Sequence, residues 1–170
     1  MPTFSESIDI NATADEVWAV LGNLTSVGQW IPGITTVDVN GMHRVCTFED
    51  GHTQEEQILD YSPITRSYRY RIDGAPLPVT NNIGSFAVQE ADGSTRVTWE
   101  SSFEPLHPNT AEQLAQMWRP YLPIVLNNLK NLIENEPNAH PSPRNRRGGS
   151  RRGSRPAITA HGRTQVVTPS

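Results

Sequence analysis

Arg44 and Glu56 are the residues whose types and spacing first suggest chemistry. Asp50-Gly51 between them reads as the turn of a hairpin. Strand alternation puts Arg44, Cys46 and Phe48 on one face, and Glu56, Ile58 and Asp60 on one face of the returning strand. A register centred near residue 51 brings Arg44 within a diagonal step of Glu56. A charged pair sharing its face with Phe48 and Ile58 is expected to be partly buried, and perturbed ionisable groups in clefts are functional candidates. The guanidinium fork suits a ligand carboxylate, enolate or phenolate. The glutamate suits proton abstraction from an acidic C–H. A structural cross-strand ion pair has the same spacing, and the sequence leaves both readings open.

A second group is aromatic: Trp30, Tyr68, Tyr70, Phe86, Trp99, Trp118 and Tyr121. These side chains read as ordinary core or as the walls of a binding pocket. Tyr70 and Trp99 carry polar handles that need partners when buried, and such handles can orient a ligand. Asn82 shares the face of Phe86 by alternation and is a candidate to point its amide inward. Other chemistry lacks its signatures. His43, His52 and His107 are scattered, there is one cysteine, and neither His-x-x-x-His nor His-Glu-x-x-His occurs, so no metal site is expected. No Gly-x-Ser-x-Gly, Gly-x-Gly-x-x-Gly or Walker pattern occurs, so neither a hydrolase elbow nor a nucleotide cofactor is implied. Cys46 reads as a small apolar strand residue.

The elements that must position these residues follow from periodicity. Residues 3–10 read as a strand. Thr13-x-x-Glu16 is a capping box that opens a short helix with Val17, Trp18, Val20 and Leu21 on its buried side. A second short helix is expected over 25–31, stopped by Ile31-Pro32-Gly33. The period then changes to two, with strands at 34–39, 43–48, 53–61, 66–72, 79–90 and 95–103. Asn40-Gly41 and Asp92-Gly93 are strong hairpin signals. Residues 73–78 form a loop with two prolines. A long amphipathic helix closes the series: Asn109-x-x-Glu112 offers its N-cap, and Ala111, Leu114, Trp118, Leu122, Val125, Leu129 and Leu132 recur at helical spacing. Pro120 and Pro123 are expected to kink it. Six strands joined by tight turns make an antiparallel meander, which needs an apolar cover, and the last helix is the only element long enough to supply one.

This order resembles the START-like, or SRPBCC, superfamily, and within it the polyketide cyclase/dehydrase-like branch. The carrying residues are Thr13-Ala14-Asp15-Glu16-Val17-Trp18, Gly28-Gln29-Trp30-Ile31-Pro32-Gly33-Ile34, Gly41-Met42-His43-Arg44, Asp50-Gly51 with Glu56, Tyr68-Arg69-Tyr70 and Val97-Thr98-Trp99. The resemblance spans about residues 3–135. It implies an α+β helix-grip fold, START/Bet v 1-like, with a seven-stranded antiparallel sheet wrapped around a long C-terminal helix. It also implies an internal pocket for a small hydrophobic or aromatic molecule, with Trp30, Arg44, Glu56 and Trp99 near the pocket or its mouth. The activities it suggests are cyclisation, aromatisation or dehydration of a polyketide-like substrate. A non-catalytic lipid or small-molecule carrier or sensor fits as well. Fold alone does not choose between them.

Composition divides the chain. The 170 residues carry 14 basic and 18 acidic side chains, a net charge of −4. Residues 1–136 hold seven of the basic and all 18 acidic ones, a net −11. Residues 137–170 hold seven arginines, no acid, and no Phe, Trp, Tyr, Leu or Met. The first part is expected to be the ligand-binding domain. The second is expected to be a disordered Arg/Pro/Gly/Ser-rich tail, too poor in apolar surface to offset chain entropy. A basic segment can neutralise nucleic-acid phosphates, but this one lacks aromatics to stack bases, so nucleic acid is not the expected partner. The plain reading is a solubilising extension or a tail that contacts its own acidic domain; an interaction protein whose basic tail binds an anionic partner is the alternative. No apolar run approaches the roughly 18 residues of a membrane helix. The N-terminus has no secretory pattern, and one cysteine excludes an internal disulfide. A cytoplasmic location is therefore expected. Nothing in the sequence selects between a monomer and a homodimer.

Overall fold

The computed structural model describes residues 1–135. The expected tail, 137–170, lies outside the described residues. Strand β1 (Thr3–Ile10) leads into helix α1 (Ala14–Leu21) and the single turn α2 (Val27–Trp30). Six strands follow: β2 (Ile34–Asn40), β3 (His43–Phe48), β4 (Thr53–Ser62), β5 (Ser67–Asp73), β6 (Val79–Ala91) and β7 (Ser94–Pro105). A 3₁₀ turn at Pro108–Thr110, helix α3 (Ala111–Trp118) and helix α4 (Tyr121–Asn135) complete the order. The sheet runs β1-β7-β6-β5-β4-β3-β2, every pairing antiparallel. The meander is as expected. β1 adds to its far edge beside β7.

Local chemistry explains most boundaries. Thr13 accepts from the Glu16 amide, and the Glu16 carboxylate accepts from the Thr13 amide at 2.8 Å, so both halves of the capping box form. Two donors at the helix start are thereby satisfied. The face of α1 presenting Ala14, Val17 and Leu21 is buried, while Trp18 and Val20 are half-buried. The β3–β4 connection is a three-residue loop, Glu49-Asp50-Gly51, closed by Phe48 N to His52 O at 2.9 Å. Gly51 has φ +86°, the left-handed conformation that this loop length requires of its last residue.

That loop sets the register one step from the expectation. Arg44 stands directly opposite Glu56, not diagonal to it, because the hairpin centres on residue 50. A bulge at Leu59 also breaks the expected alternation of β4. Ile58 pairs with Tyr70 but Asp60 pairs with Arg69, so Asp60 turns outward and Tyr61 joins the face of Tyr68. A second bulge places Asn81 and Asn82 of β6 against one residue of β7, with Asn81 at φ +49°.

The closing helix is two helices. Pro120 has no N–H to continue α3, and the chain restarts at Tyr121. Pro123 then falls in the first turn of α4, where a missing donor costs nothing. The expected Asn109 cap does not form. Thr110 is the N-cap residue of α3, without a side-chain capping bond, and its hydroxyl donates to the His107 carbonyl at 2.7 Å.

Leu122, Val125, Leu126 and Leu129 of α4 are buried beneath the sheet's concave face. Lys130 donates to the Asp9 carbonyl at 2.6 Å, and Glu134 accepts from the Asn11 amide at 2.8 Å. Asn128 donates to the Trp30 carbonyl at 3.2 Å. These bonds fix α4 to β1 and α2. No helix among the described residues is long and apolar enough to cross a membrane.

Candidate functional site: a cavity between the sheet and the C-terminal helices

A cavity of about 260 Å³ opens between the sheet and the C-terminal helices. The register assigns its floor row by row. Arg44, Glu56, Ile72 and Asn82 lie directly opposite one another across β3, β4, β5 and β6. Two residues along β5, Tyr70 faces Gly84 of β6, and two further along Tyr68, Phe86 and Trp99 form another row. All of these but Gly84 line the cavity. Met117, Trp118 and Tyr121 close it from the helical side, and Ala75, Pro76 and Leu77 from the β5–β6 loop.

The aromatic walls are an interlocked stack. Tyr70 lies parallel to Phe86 at 6.1 Å, and Phe86 parallel to Trp99 at 5.1 Å. Trp118 and Tyr121 meet Trp99 edge-on. Their polar handles are used within the wall: Trp99 Nε1 donates to the Tyr70 hydroxyl at 3.1 Å, and Trp118 Nε1 to Ser101 Oγ at 3.1 Å.

Arg44 and Glu56 form a closed ion pair in the floor, with side chains 2% and 4% exposed. Arg44 Nε donates to Glu56 Oε2 at 2.6 Å, and Nη2 lies 2.5 Å from the same oxygen. Nη1 donates to the Leu24 carbonyl at 3.0 Å. The other Glu56 oxygen accepts from Gln54 Nε2 at 2.6 Å. The guanidinium carbon sits 5.8 and 5.7 Å from the ring centres of Tyr68 and Tyr70. Burial opposes the Arg44 charge, but Tyr68 and Glu56 beside it outweigh that and hold it above its ordinary range. Such a pair is costly to desolvate and costly to break, because either partner alone is a buried charge.

Burial likewise keeps the phenols protonated. It pushes Tyr68 up to about 12, and burial together with the Glu56 charge pushes Tyr70 well above its ordinary value. Tyr121 is raised by burial alone. Three polar side chains of the lining, Tyr68, Asn82 and Tyr121, make no side-chain hydrogen bond to a described residue. The buried Tyr68 hydroxyl makes no hydrogen bond of good geometry, but the Arg44 guanidinium beside it acts against the upward push of burial. The Asn82 amide is not hydrogen-bonded to any described residue, although Asn82 is only 4% exposed.

Nine of the ten expected residues therefore surround one cavity: Arg44, Glu56, Tyr68, Tyr70, Asn82, Phe86, Trp99, Trp118 and Tyr121. Trp30 is placed otherwise. It is 1% exposed and packs edge-on against Phe86 at 5.6 Å, with its Nε1 on Ser26 Oγ at 3.3 Å. It supports the wall from behind. Sequence reasoning missed Gln54, which holds Glu56, although period two from Glu56 already put it on the same face. It also missed the mouth. His52 stacks on Phe48 with ring centres 4.4 Å apart and bonds through Nδ1 to Asp50. Among the described residues, no three His, Cys, Asp or Glu side chains gather into a metal cluster.

A curved antiparallel sheet gripping a C-terminal helix over an aromatic-walled cavity defines the START/Bet v 1-like class of hydrophobic ligand-binding folds. The sequence pattern described as "Polyketide cyclase / dehydrase and lipid transport" matches residues 1–134, and the chain belongs to that family. No curated protein matches the chain in sequence. Among solved structures, it is similar to XoxI from Bacillus cereus, with a TM-score of 0.72 and 25% identity over 79% of this chain and 97% of that one. A START superfamily protein from Mycobacterium smegmatis gives a TM-score of 0.66 at 14% identity, over 78% of this chain and 97% of that one. The di-domain ARO/CYC protein BexL, from the BE-7585A biosynthetic pathway, gives 0.70 at 16% identity, over 79% of this chain and 47% of that one. The last two likenesses are of fold alone.

Proposed function

We propose that this chain binds a small hydrophobic, aromatic molecule in the cavity between the sheet and its C-terminal helices. The observation that carries the reading is the lining. Phe86, Trp99, Trp118 and Tyr121 offer ring faces and edges around a space of about 260 Å³, and few polar groups interrupt them. That composition suits an apolar ligand oriented by a small number of polar contacts. Tyr68, Tyr70 and Asn82 are the assigned contacts, with Arg44 and Glu56 beneath them.

The arrangement favours binding over turnover at the ion pair. A general base needs a free lone pair within reach of the proton it takes. Glu56 Oε2 is taken up by Arg44 Nε and Nη2, while Oε1 accepts from Gln54 and keeps one lone pair, buried in the floor. Cyclisation, aromatisation or dehydration in this cavity would proceed by holding a flexible substrate in one folded shape. Proton transfer at Glu56 would run through that one remaining lone pair.

Native mass spectrometry of the purified full chain, followed by extraction and identification of anything bound, tests the reading. An aromatic or lipid mass that co-purifies, and is lost when Phe86→Arg fills the cavity with charge, supports it. An empty cavity with nucleic acid bound in a salt-sensitive way would overturn it in favour of the basic segment 137–170.

A further inference from the structure

The loop between β3 and β4 prepares a proton acceptor at the mouth of the cavity, where the binding reading above places a ligand. Of the histidines among the described residues, His43, His52 and His107, only His52 belongs to the cavity lining. His43 neighbours Arg44 on β3 and so points to the other face of the sheet, 3.7 Å from Glu55. The His52 side chain is 33% exposed, open enough to meet a bound molecule.

Two separate contacts hold its ring. Asp50 Oδ1 accepts from the His52 amide at 3.1 Å and is also bonded to Nδ1 of the same residue. The ring stacks on Phe48 with planes 8° apart. The amide bond by itself would close the loop; the ring bond adds a fixed orientation and tautomer. Both bonds from His52 hold the Asp50 carboxyl below its ordinary value, so it is ionised near neutral pH. A carboxylate only accepts, so the neutral ring carries its proton on Nδ1 and keeps a lone pair on Nε2. Nε2 is hydrogen-bonded to no described residue.

A carboxylate behind an imidazole orients the ring and stabilises the imidazolium it becomes. Glu56 offers less: its charge is already matched by Arg44, and its spare lone pair is buried. We propose that His52 is the proton acceptor of this cavity, acting on an acidic C–H of a bound molecule, with Asp50 as its positioning residue. The Nε2 lone pair forms the new N–H bond. The C–H electron pair stays in the ligand and moves to an electronegative atom within it.

The probe is nitrobenzisoxazole, a planar carbon acid, offered to the full chain. Loss of its ring C–H proton to Nε2 leaves the electron pair to form a nitrile. The N–O bond breaks, and the coloured phenolate oxygen keeps that bond's electrons. Binding is followed separately by tryptophan fluorescence. Saturable turnover is expected, with His52→Ala slower by on the order of tenfold or more while its melt stays cooperative. Added imidazole should restore part of the His52→Ala rate, which a structural role would not allow. Asp50→Asn should slow turnover and, by nitrogen NMR of labelled histidine, mix the two ring tautomers, because its amide can also donate to Nδ1.

Full turnover in a folded His52→Ala variant overturns the assignment to His52. A parent ring with its proton on Nε2 overturns the lone pair on which the inference stands. The parent's rate and tautomer in Asp50→Asn overturn the role of Asp50. Fluorescence quenching without turnover overturns proton transfer at the mouth but leaves the cavity as a ligand site. The absence of both quenching and turnover overturns the binding reading itself, and this inference with it.

Discussion

Tyr70 and Gly84 face each other across β5 and β6, and the Tyr70 ring occupies the space a Gly84 side chain would need. A Cβ at position 84 would overlap Tyr70 Cζ and the Tyr70 hydroxyl. Glycine weakens a strand through its entropy and missing side chain. Here that loss is offset by a tyrosine lying flat over the bare backbone, where it meets Trp99 Nε1 and stacks on Phe86.

Gly84→Ala is therefore expected to destabilise the domain by about 1–3 kcal/mol, the usual cost of overpacking. It should also displace Tyr70 and break its bond with Trp99. Urea denaturation reads the first effect and near-ultraviolet circular dichroism the second. A variant as stable as the parent, with an unchanged aromatic spectrum, would contradict this account of Gly84.

The Arg44–Glu56 pair makes a prediction about couplings. Glu56→Leu or Arg44→Met alone leaves one buried charge uncompensated and is expected to cost about 3–5 kcal/mol. The double variant Arg44→Met/Glu56→Leu should cost less than either single one, because no charge remains. A double-mutant cycle by urea denaturation decides it. Additive single and double losses would mean that the two side chains act independently.

Tyr68→Phe removes a hydroxyl that lies beside the Arg44 guanidinium without a hydrogen bond of good geometry, and is expected to change stability by no more than about 1 kcal/mol in either direction. A loss of more than about 1 kcal/mol in chemical denaturation would show that the hydroxyl is bonded after all.

Alkaline pH gives a further test. Burial, with the Glu56 charge second, pushes the Cys46 thiol up to about 12, from an ordinary value of 9.0. The folded value exceeds the unfolded one, so this group's contribution is fully present below pH 9.0. It is lost as pH rises from there toward about 12, because the unfolded chain releases its proton first. Each such group contributes a slope of at most about 1.4 kcal/mol per pH unit. Cys46→Ala should lose less stability than the parent between those limits, as measured by urea denaturation at stepped pH. Parallel losses in the two proteins would remove Cys46 from the explanation.

Periodicity made the strands legible because each has one buried face, and a one-residue slip would turn that face outward. The same rule gathered the cavity residues, since Tyr68, Tyr70 and Ile72 alternate with Arg69 and Arg71. What stayed hidden were departures from period two. The bulge at Leu59 turned Asp60 out, and the three-residue loop ending at Gly51 moved the Arg44 partner from a diagonal to a direct position. Both are choices of backbone geometry that residue types only weakly specify. Trp30 was misplaced for a different reason. A large aromatic side chain reads alike whether it lines a cavity or backs its wall, and only the packing against Phe86 separates the two. Pro120 was visible as a break, but the sequence did not show whether it bends one helix or ends it.

The loop-and-helix side of the mouth and the floor of the cavity are built from different kinds of structure. Arg44, Glu56, Tyr70 and Phe86 are strand residues, held by the ladder that also holds the domain together. Ala75, Pro76, Leu77 and Met117 belong to a loop and a short helix, and none of them lies in a strand. Substitutions at the mouth can therefore accumulate without disturbing strand registry, while those in the floor are tested against folding itself. Descendants of this sequence have a cheap route to new ligands of the same polarity, by changing the entrance. A change of polarity would have to begin in the floor, where few replacements survive.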